Sequence, residues 1–229
     1  KLDCPAPDAV KWSEWTEMVQ SLKNPKSEVT IALVGKYTQL HDAYLSVVEA
    51  LKHGAIPSQA SVNIKWLPSE SLTNNNAAEM LSDVSGILVP GGFGDRGVEG
   101  KITAIQYARE HNIPFLGLCL GMQLAIVEFA RNVMGMKDAH SKELNPDTPY
   151  PVIHLMEDQN GVENLGGTLR LGSYPCLLDN SSKAFEVYGK SLIHERHRHR
   201  YEVNNKYREE FISNGMKLSG LSPDGLIVE

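Results

Sequence analysis

Ile113-Pro-Phe-Leu-Gly-Leu-Cys-Leu-Gly-Met-Gln123 joins an apolar run to a glycine-flanked cysteine and passes at once into helical spacing. Phe115 to Leu118 reads as a buried strand, and Leu120 to Arg131 places Leu120, Leu124, Val127 and Ala130 on one helical stripe. Gly117 and Gly121 bracket the turn between them. In Gly-x-Ser-x-Gly nucleophile elbows, flanking glycines permit a tight, strained strand-to-helix turn that lifts the nucleophile above the sheet. Gly-Leu-Cys-Leu-Gly puts sulfur in that position, at a helix N-terminus where free amides and the positive end of the backbone dipole meet it. Free cysteines are often simply buried, but both glycines at elbow spacing favour Cys119 as a nucleophile.

Upstream, strand-like and helix-like stretches alternate. Val29 to Val34 reads as a strand ending at Gly35-Lys36-Tyr37, and Tyr44 to Ala55 as an amphipathic helix. Then come Ser61 to Leu67 (strand), Ala77 to Leu81 (short helix), Gly86 to Val89 (strand) and Ile102 to Glu110 (helix). This alternation predicts an α/β fold, a doubly wound, mostly parallel sheet with helices on both faces in three layers. Such sheets carry their sites beyond the carboxyl ends of the strands, so the glycine-rich turns after the first, third and fourth strands should converge. From Asn145 onward shorter β-like segments follow: Pro151 to Met156, Gly167 to Leu171, Arg200 to Val203, Lys217 to Gly220 and Leu226 to Glu229.

The loop Pro90-Gly-Gly-Phe-Gly-Asp-Arg-Gly97 contains a Gly-x-Gly-x-x-Gly spacing at Gly92, Gly94 and Gly97. A dinucleotide fingerprint belongs at the first strand-to-helix turn, with an acidic residue about 20 positions on. Here the next strand ends at Gly-Leu-Cys. The loop is either a structural turn or a set of backbone N–H donors for an oxyanion, with the Leu120 amide as the second donor. The latter describes acyl transfer through a thioester. No Gly-x-x-x-x-Gly-Lys-[Ser/Thr] loop occurs, so phosphoryl transfer is not expected of this chain.

The composition, 41% hydrophobic and 22% charged over 229 residues, is that of a globular protein. A net charge of −6 argues against non-specific nucleic-acid binding, and no apolar run is long enough for a membrane span. The three cysteines (Cys4, Cys119, Cys176) are too few and scattered for a disulfide framework and form no zinc pattern with the histidines. No metal site is expected, and a cytoplasmic location is. Residues 1–27 read as a linker and a docking helix from a preceding domain. Trp12, Trp15, Met18, Val19 and Leu22 repeat on one helical face, which packs either on its own domain or on a neighbour. Residues 28–229 read as one catalytic domain cut from a longer polypeptide.

Four segments together resemble a known family: Pro90-Gly-Gly-Phe-Gly-x-Arg-Gly97, Gly117-Leu-Cys-Leu-Gly-Met-Gln123, Leu165-Gly-Gly-Thr-Leu-Arg-Leu-Gly172 and Glu195-Arg-His-Arg-His-Arg-Tyr-Glu-Val-Asn204. The elbow alone is similar to class I glutamine amidotransferases with a flavodoxin-like architecture. The other three narrow the resemblance to the amidotransferase domains of CTP synthases, over nearly the whole chain. The resemblance implies hydrolysis of L-glutamine to glutamate, with ammonia passed to an N-terminal synthase domain that aminates UTP using ATP and Mg. GTP is implied as an activator acting through the segment Leu165 to Gly172. Homo-oligomers are implied for the full-length protein. Two other readings remain open, a γ-glutamyl cysteine hydrolase of the same fold and a non-catalytic regulatory domain.

By position, the resemblance makes Cys119 the nucleophile. Gly91, Gly92 and the backbone of Leu120, Gly121, Met122 and Gln123 would hold the oxyanion and substrate. Glu143 would meet the α-amino group and Arg200 the α-carboxylate. The family completes its triad with Phe-His-Pro-Glu shortly after the strand that here reads Leu226-Ile-Val-Glu229, and the chain stops before it. No His-x-Glu substitute stands out. His197 and His199 read as part of an arginine-rich, solvated run, so the general base and its carboxylate are left unassigned.

Overall fold

The computed structural model describes residues 12–155 and 170–229. Its centre is a parallel sheet of β1 (Ser27–Gly35), β2 (Ala60–Pro68), β3 (Gly86–Val89) and β4 (Phe115–Gly117), in the order β2-β1-β3-β4. The register aligns Leu33 with Leu88 and Val89 with Gly117. Side chains alternate across a strand, and both faces of β1 and β3 are apolar. Leu33 and Leu88 pack with Tyr44, Val47 and Leu51, the last two on α2 (Leu45–Ala55). Ala32, Val34, Ile87 and Val89 face the opposite way into the main core. There they meet α3 (Ala77–Leu81), α4 (Val98–Glu110) and α5 (Leu120–Asn132). Helices on both faces of a parallel sheet are what the alternating pattern requires.

Two smaller sheets follow. β5 (Ala139–Ser141), β6 (Tyr150–Leu155) and β9 (Tyr201–Val203) form one, and β7 (Arg170–Leu178), β8 (Leu192–His199) and β10 (Gly220–Leu221) the other. Short helices α6 (Lys183–Tyr188) and α7 (Arg208–Ser213) complete the described part. β7 and β8 pair antiparallel from Arg170↔His199 to Leu177↔Leu192, which brings the arginine- and histidine-rich segment across the chain to the elbow.

Several sequence expectations need correction. Leu192 to His199 is a strand although its charges read as a solvated run. It alternates, with Ile193 and His199 buried and the residues between them more open. The strand expected over 226–229 reduces to a single bridge between Val228 and Leu221. That expected over 217–220 reduces to two residues. α4 begins one turn earlier than its apolar periodicity suggests, because Val98, Gly100 and Lys101 are buried while Glu99 faces outward. Of the two readings of the stripe carried by α1 (Ser13–Lys23), packing on its own domain does not hold for the tryptophans, Trp12 being 63% and Trp15 60% exposed. The expected linker at residues 1–11, Met156, and the segment from Leu165 to residue 169 lie outside the described residues. No helix among the described residues is long and apolar enough to cross a membrane.

The elbow depends on backbone meeting backbone. A Cβ on Gly121 would stand 2.1 Å from the Val89 carbonyl oxygen, and one on Gly117 would stand 2.5 Å from the Gly121 carbonyl carbon. The same Val89 oxygen accepts the Leu118 N–H at 2.9 Å. β3, β4 and α5 therefore touch where neither glycine can carry a side chain. Gly121→Ala should lower unfolding free energy by about 3 kcal/mol, through overpacking against main chain that cannot rotate aside. Gly54→Ala, on the exposed side of α2 with no atom within 4 Å of the new Cβ, should instead stabilise by about 0.5 kcal/mol. Urea titration of both variants checks this, and equal stabilities would refute the packing argument.

Candidate active site

Cys119 sits between β4 and α5 with φ 54° and ψ −107°, a backbone conformation that non-glycine residues seldom adopt. The glycine contacts beneath it hold that turn. Its half-buried thiol is thereby carried to the carboxyl edge of the sheet. Leu120 opens α5, and the first N–H groups of a helix have no acceptor within the helix. The loop after β3 approaches from the other side, where a Cβ on Gly91 would lie 3.2 Å from the Cys119 Cβ and 3.7 Å from Sγ. One on Gly92 would lie 3.8 Å from Leu120 Cδ2. The turn after β1 joins them, since Lys36 Nζ donates to the Phe93 carbonyl at 3.4 Å. The three glycine-rich turns converge, as strand order demands.

A cavity of about 270 Å³ opens on the thiol, lined by Gly92, Phe93, Cys119, Gln123, Glu143, Arg198, His199 and Arg200. Five of the sequence-derived positions thus share one pocket: Cys119, Gly92, Gln123, Glu143 and Arg200. Gly91 and Leu120 border it through the contacts above. Gly121 and Met122 do not line it. Gly121 is spent on the contact with Val89, and Met122 packs against the main core and a second, open groove on the other flank of Cys119. Gln123 is buried and donates from Nε2 to the Tyr201 carbonyl at 2.8 Å. That bond ties the elbow helix to the strand following Arg200.

Opposite charges face each other in the pocket. Partial burial raises the Glu143 carboxyl above its ordinary pKa, against the positive charge of Arg200 and His199, although one flank of the side chain remains open to solvent. Arg198 closes the rim, its Cζ 5.4 Å from the centre of the Phe93 ring, in range of a cation–π attraction.

Sequence reasoning missed His199 and Glu202. His199 is buried and lies against Cys119, with Nδ1 3.6 Å from Glu202 Oε2. That separation is ionic contact rather than a hydrogen bond. Burial alone would lower the His199 pKa, but the contact with Cys119 and the charge of Glu202 outweigh it and push it up to about 9. Glu202 is itself buried. His199 and Arg170 hold its carboxyl below the usual range against the cost of burial. Arg170 Nε donates to Glu202 Oε1 at 3.0 Å, and its NH1 to Glu229 Oε1 at 2.7 Å. Glu229 also meets His197 Nε2 at 2.5 Å. A chain of alternating charges runs from the thiol to residue 229. The signal that could have found it is the period-two alternation through Glu195, His197 and His199, which sets these three on the face opposite Arg196 and Arg198.

Comparison with known proteins agrees with this geometry. Residues 39–229 match the family model for class-I glutamine amidotransferases. The chain is 60% identical over 217 residues to a CTP synthase of Clostridium beijerinckii, covering 95% of this chain and 40% of that protein. It is 55% identical over 229 residues to a CTP synthase of Bacillus velezensis, covering all of this chain and 42% of the relative. It thus spans about two fifths of the length of the curated relatives it matches. Among solved structures, the glutaminase domain of Trypanosoma brucei CTPS with bound acivicin superposes with a TM-score of 0.79 at 40% identity. That match covers 85% of this chain and 75% of the other. With a glycine-held cysteine facing the pocket and these likenesses along its length, the chain belongs to the class-I glutamine amidotransferase family, among the amidotransferase domains of CTP synthases.

Proposed function

We propose that this chain hydrolyses L-glutamine to glutamate and ammonia through a thioester on Cys119. The ammonia would serve a synthase domain of the same polypeptide that aminates UTP to CTP in the cytoplasm, with ATP and Mg bound in that domain. The observation that carries the reading is the pocket itself. A nucleophile elbow stands at one wall, and a carboxylate and a guanidinium share the space. Ligand pockets for drug-sized molecules run from about 300 Å³ upward, so this one suits a single amino acid. Glu143 would receive the α-ammonium. Arg200 would hold the α-carboxylate, for which guanidinium geometry is suited. The side-chain amide would then lie over Cys119.

In this mechanism the Cys119 thiolate attacks the amide carbon. The C–O pair moves onto oxygen, which the Gly92 and Leu120 N–H groups receive. Collapse expels ammonia and leaves a γ-glutamyl thioester, which water hydrolyses. His199, with a pKa near 9, is protonated at neutral pH. It serves better as a positive neighbour for the thiolate than as the base. The general base that relays the proton to the departing ammonia is left unassigned. GTP activation is proposed from the resemblance, through the segment from Leu165 to Gly172. A purely regulatory role is less well supported, because such a role needs neither the strained cysteine nor the charge pair.

Acivicin, the compound bound in the trypanosomal relative, should label Cys119 stoichiometrically, and glutamine should protect it. Labelling at Cys176, which is buried with its thiol pushed up to about 11, would count against the proposal. Glu143→Gln should raise KM for glutamine roughly tenfold or more through loss of a charged hydrogen bond, with kcat little changed. The ammonium binds the ionised carboxylate, so wild-type KM should rise as pH falls through the Glu143 pKa, which lies above the ordinary glutamate value. Glu143→Gln should abolish that limb of the pH profile. Its persistence in the variant would remove Glu143 from the site.

A further inference from the structure

One buried charge beside the site has no part in the mechanism above. Lys101 occupies the first turn of α4, its N–H bonded to the Gly97 carbonyl at 3.2 Å. The residue is only 2% exposed. A cation is unfavourable at a helix N-terminus, where the backbone dipole is already positive, and a buried ammonium without a counter-ion is costly. Among the described residues Lys101 forms no ion pair. Glu99, two residues earlier, pairs with Arg131, and Glu70, beside Gly97, pairs with Arg96. Burial and then the charge of Lys36 pull the Lys101 pKa down. A helix stripe that needed only packing would be served by leucine or methionine.

The position of the ammonium gives the charge a use. Lys101 Nζ is 3.9 Å from the point where a Gly92 Cβ would stand, and Leu120 Cδ2 is 3.8 Å from the same point. Lys36 flanks the next stretch of the loop, bonded to the Phe93 carbonyl and 3.7 Å from the Gly94 Cβ position. Its backbone is fixed in turn, because Tyr44 Oη accepts the Lys36 N–H at 3.0 Å. Two ammonium groups therefore lie against residues 92–94, of which Gly92 and Phe93 line the pocket with Cys119.

We propose that Lys101 is a positioning residue for acyl transfer. Its ammonium, buried against Gly92, acts through the glycine loop to favour the negative charge that develops on the carbonyl oxygen of the substrate. Lys36 assists by fixing the Phe93 carbonyl. The inference rests on the oxyanion role of the loop proposed above and adds a charge behind it.

The test compares two reactions of the same thiol in the intact protein that carries this chain, each read by mass on the Cys119 peptide. Acylation by p-nitrophenyl acetate adds sulfur to a carbonyl, passes through an oxyanion and expels p-nitrophenolate. Alkylation by iodoacetamide displaces iodide at a saturated carbon and forms no oxyanion. Lys101→Met should slow acylation about tenfold, the scale of one nearby charge in a partly dry site, and leave alkylation unchanged. Lys36→Met should do the same to a smaller degree, and it carries the test alone if Lys101→Met does not fold. Unchanged acylation, or acylation and alkylation falling together, overturns the proposal, the latter by showing that the lysines only hold the loop in shape. Neither reagent is glutamine, so absent glutamine turnover would strike the glutaminase reading and leave this comparison standing.

Discussion

The contact on which the site depends is that between the Val89 carbonyl and the backbone of Gly121, with Gly117 pressed against the same turn. It sets three elements closer than any side chain allows. It also leaves Cys119 as the residue that absorbs the change of direction, at φ 54°. Strain of this kind costs on the order of 1–3 kcal/mol and persists only where the surroundings over-determine it. Here they do: the sheet register, the Leu118 bond to Val89 and the buried stripe of α5 all fix the same turn. In the proposed role as nucleophile, a cysteine held this way would have little freedom to lose when substrate arrives, and such pre-organisation lowers the barrier to attack.

Around this fixed point the charges are distributed by layer. Glu143 and Arg200 share the pocket with the thiol, and His199 lies against it. Behind His199, Glu202, Arg170 and Glu229 alternate in sign and are nearly dry. Buried ions of this kind add little net stability, but each fixes the orientation of the next. This chain of charges links β7, β8 and β9 and ends at Cys119. Beneath the glycine loop the pattern reverses, with positive charge at Lys101 that no ion pair among the described residues compensates. Compensated charge orients the imidazole, while the charge of Lys101 faces the loop where negative charge would form.

Much of this was legible in the sequence. Periodicity located the four central strands and the helices between them, because these elements are continuous apolar runs bounded by glycine turns. The elbow was legible because its glycines are required by backbone contact, which spacing records. Gln123, Glu143 and Arg200 came from the family likeness rather than from physics, since a lone glutamate carries no local sign of the pocket it enters, whereas Gly92 was legible in the glycine loop itself. His199 and Glu202 escaped because charge overrode alternation. A strand whose inward face is histidine and glutamate does not look buried until its arginine partner, 32 residues earlier in the chain, is seen beside it. The strand expected at 226–229 failed for the opposite reason. Its apolar residues suggested a full strand, but the pairing amounts to one bridge at Val228, flanked by backbone bonds between Ile227 and Ser222 and between Glu229 and Gly220.

The proposed glutaminase chemistry requires that the elbow cysteine be acylated by the side chain of glutamine. Rapid acid quench of the intact protein with glutamine, followed by mass analysis of its cysteine peptides, examines that requirement directly. One γ-glutamyl group is expected on the peptide containing Cys119, and none in Cys119→Ala. Glutamine consumed with no acyl group on Cys119 at any quench time, or the group found on Cys176, would contradict the proposed chemistry.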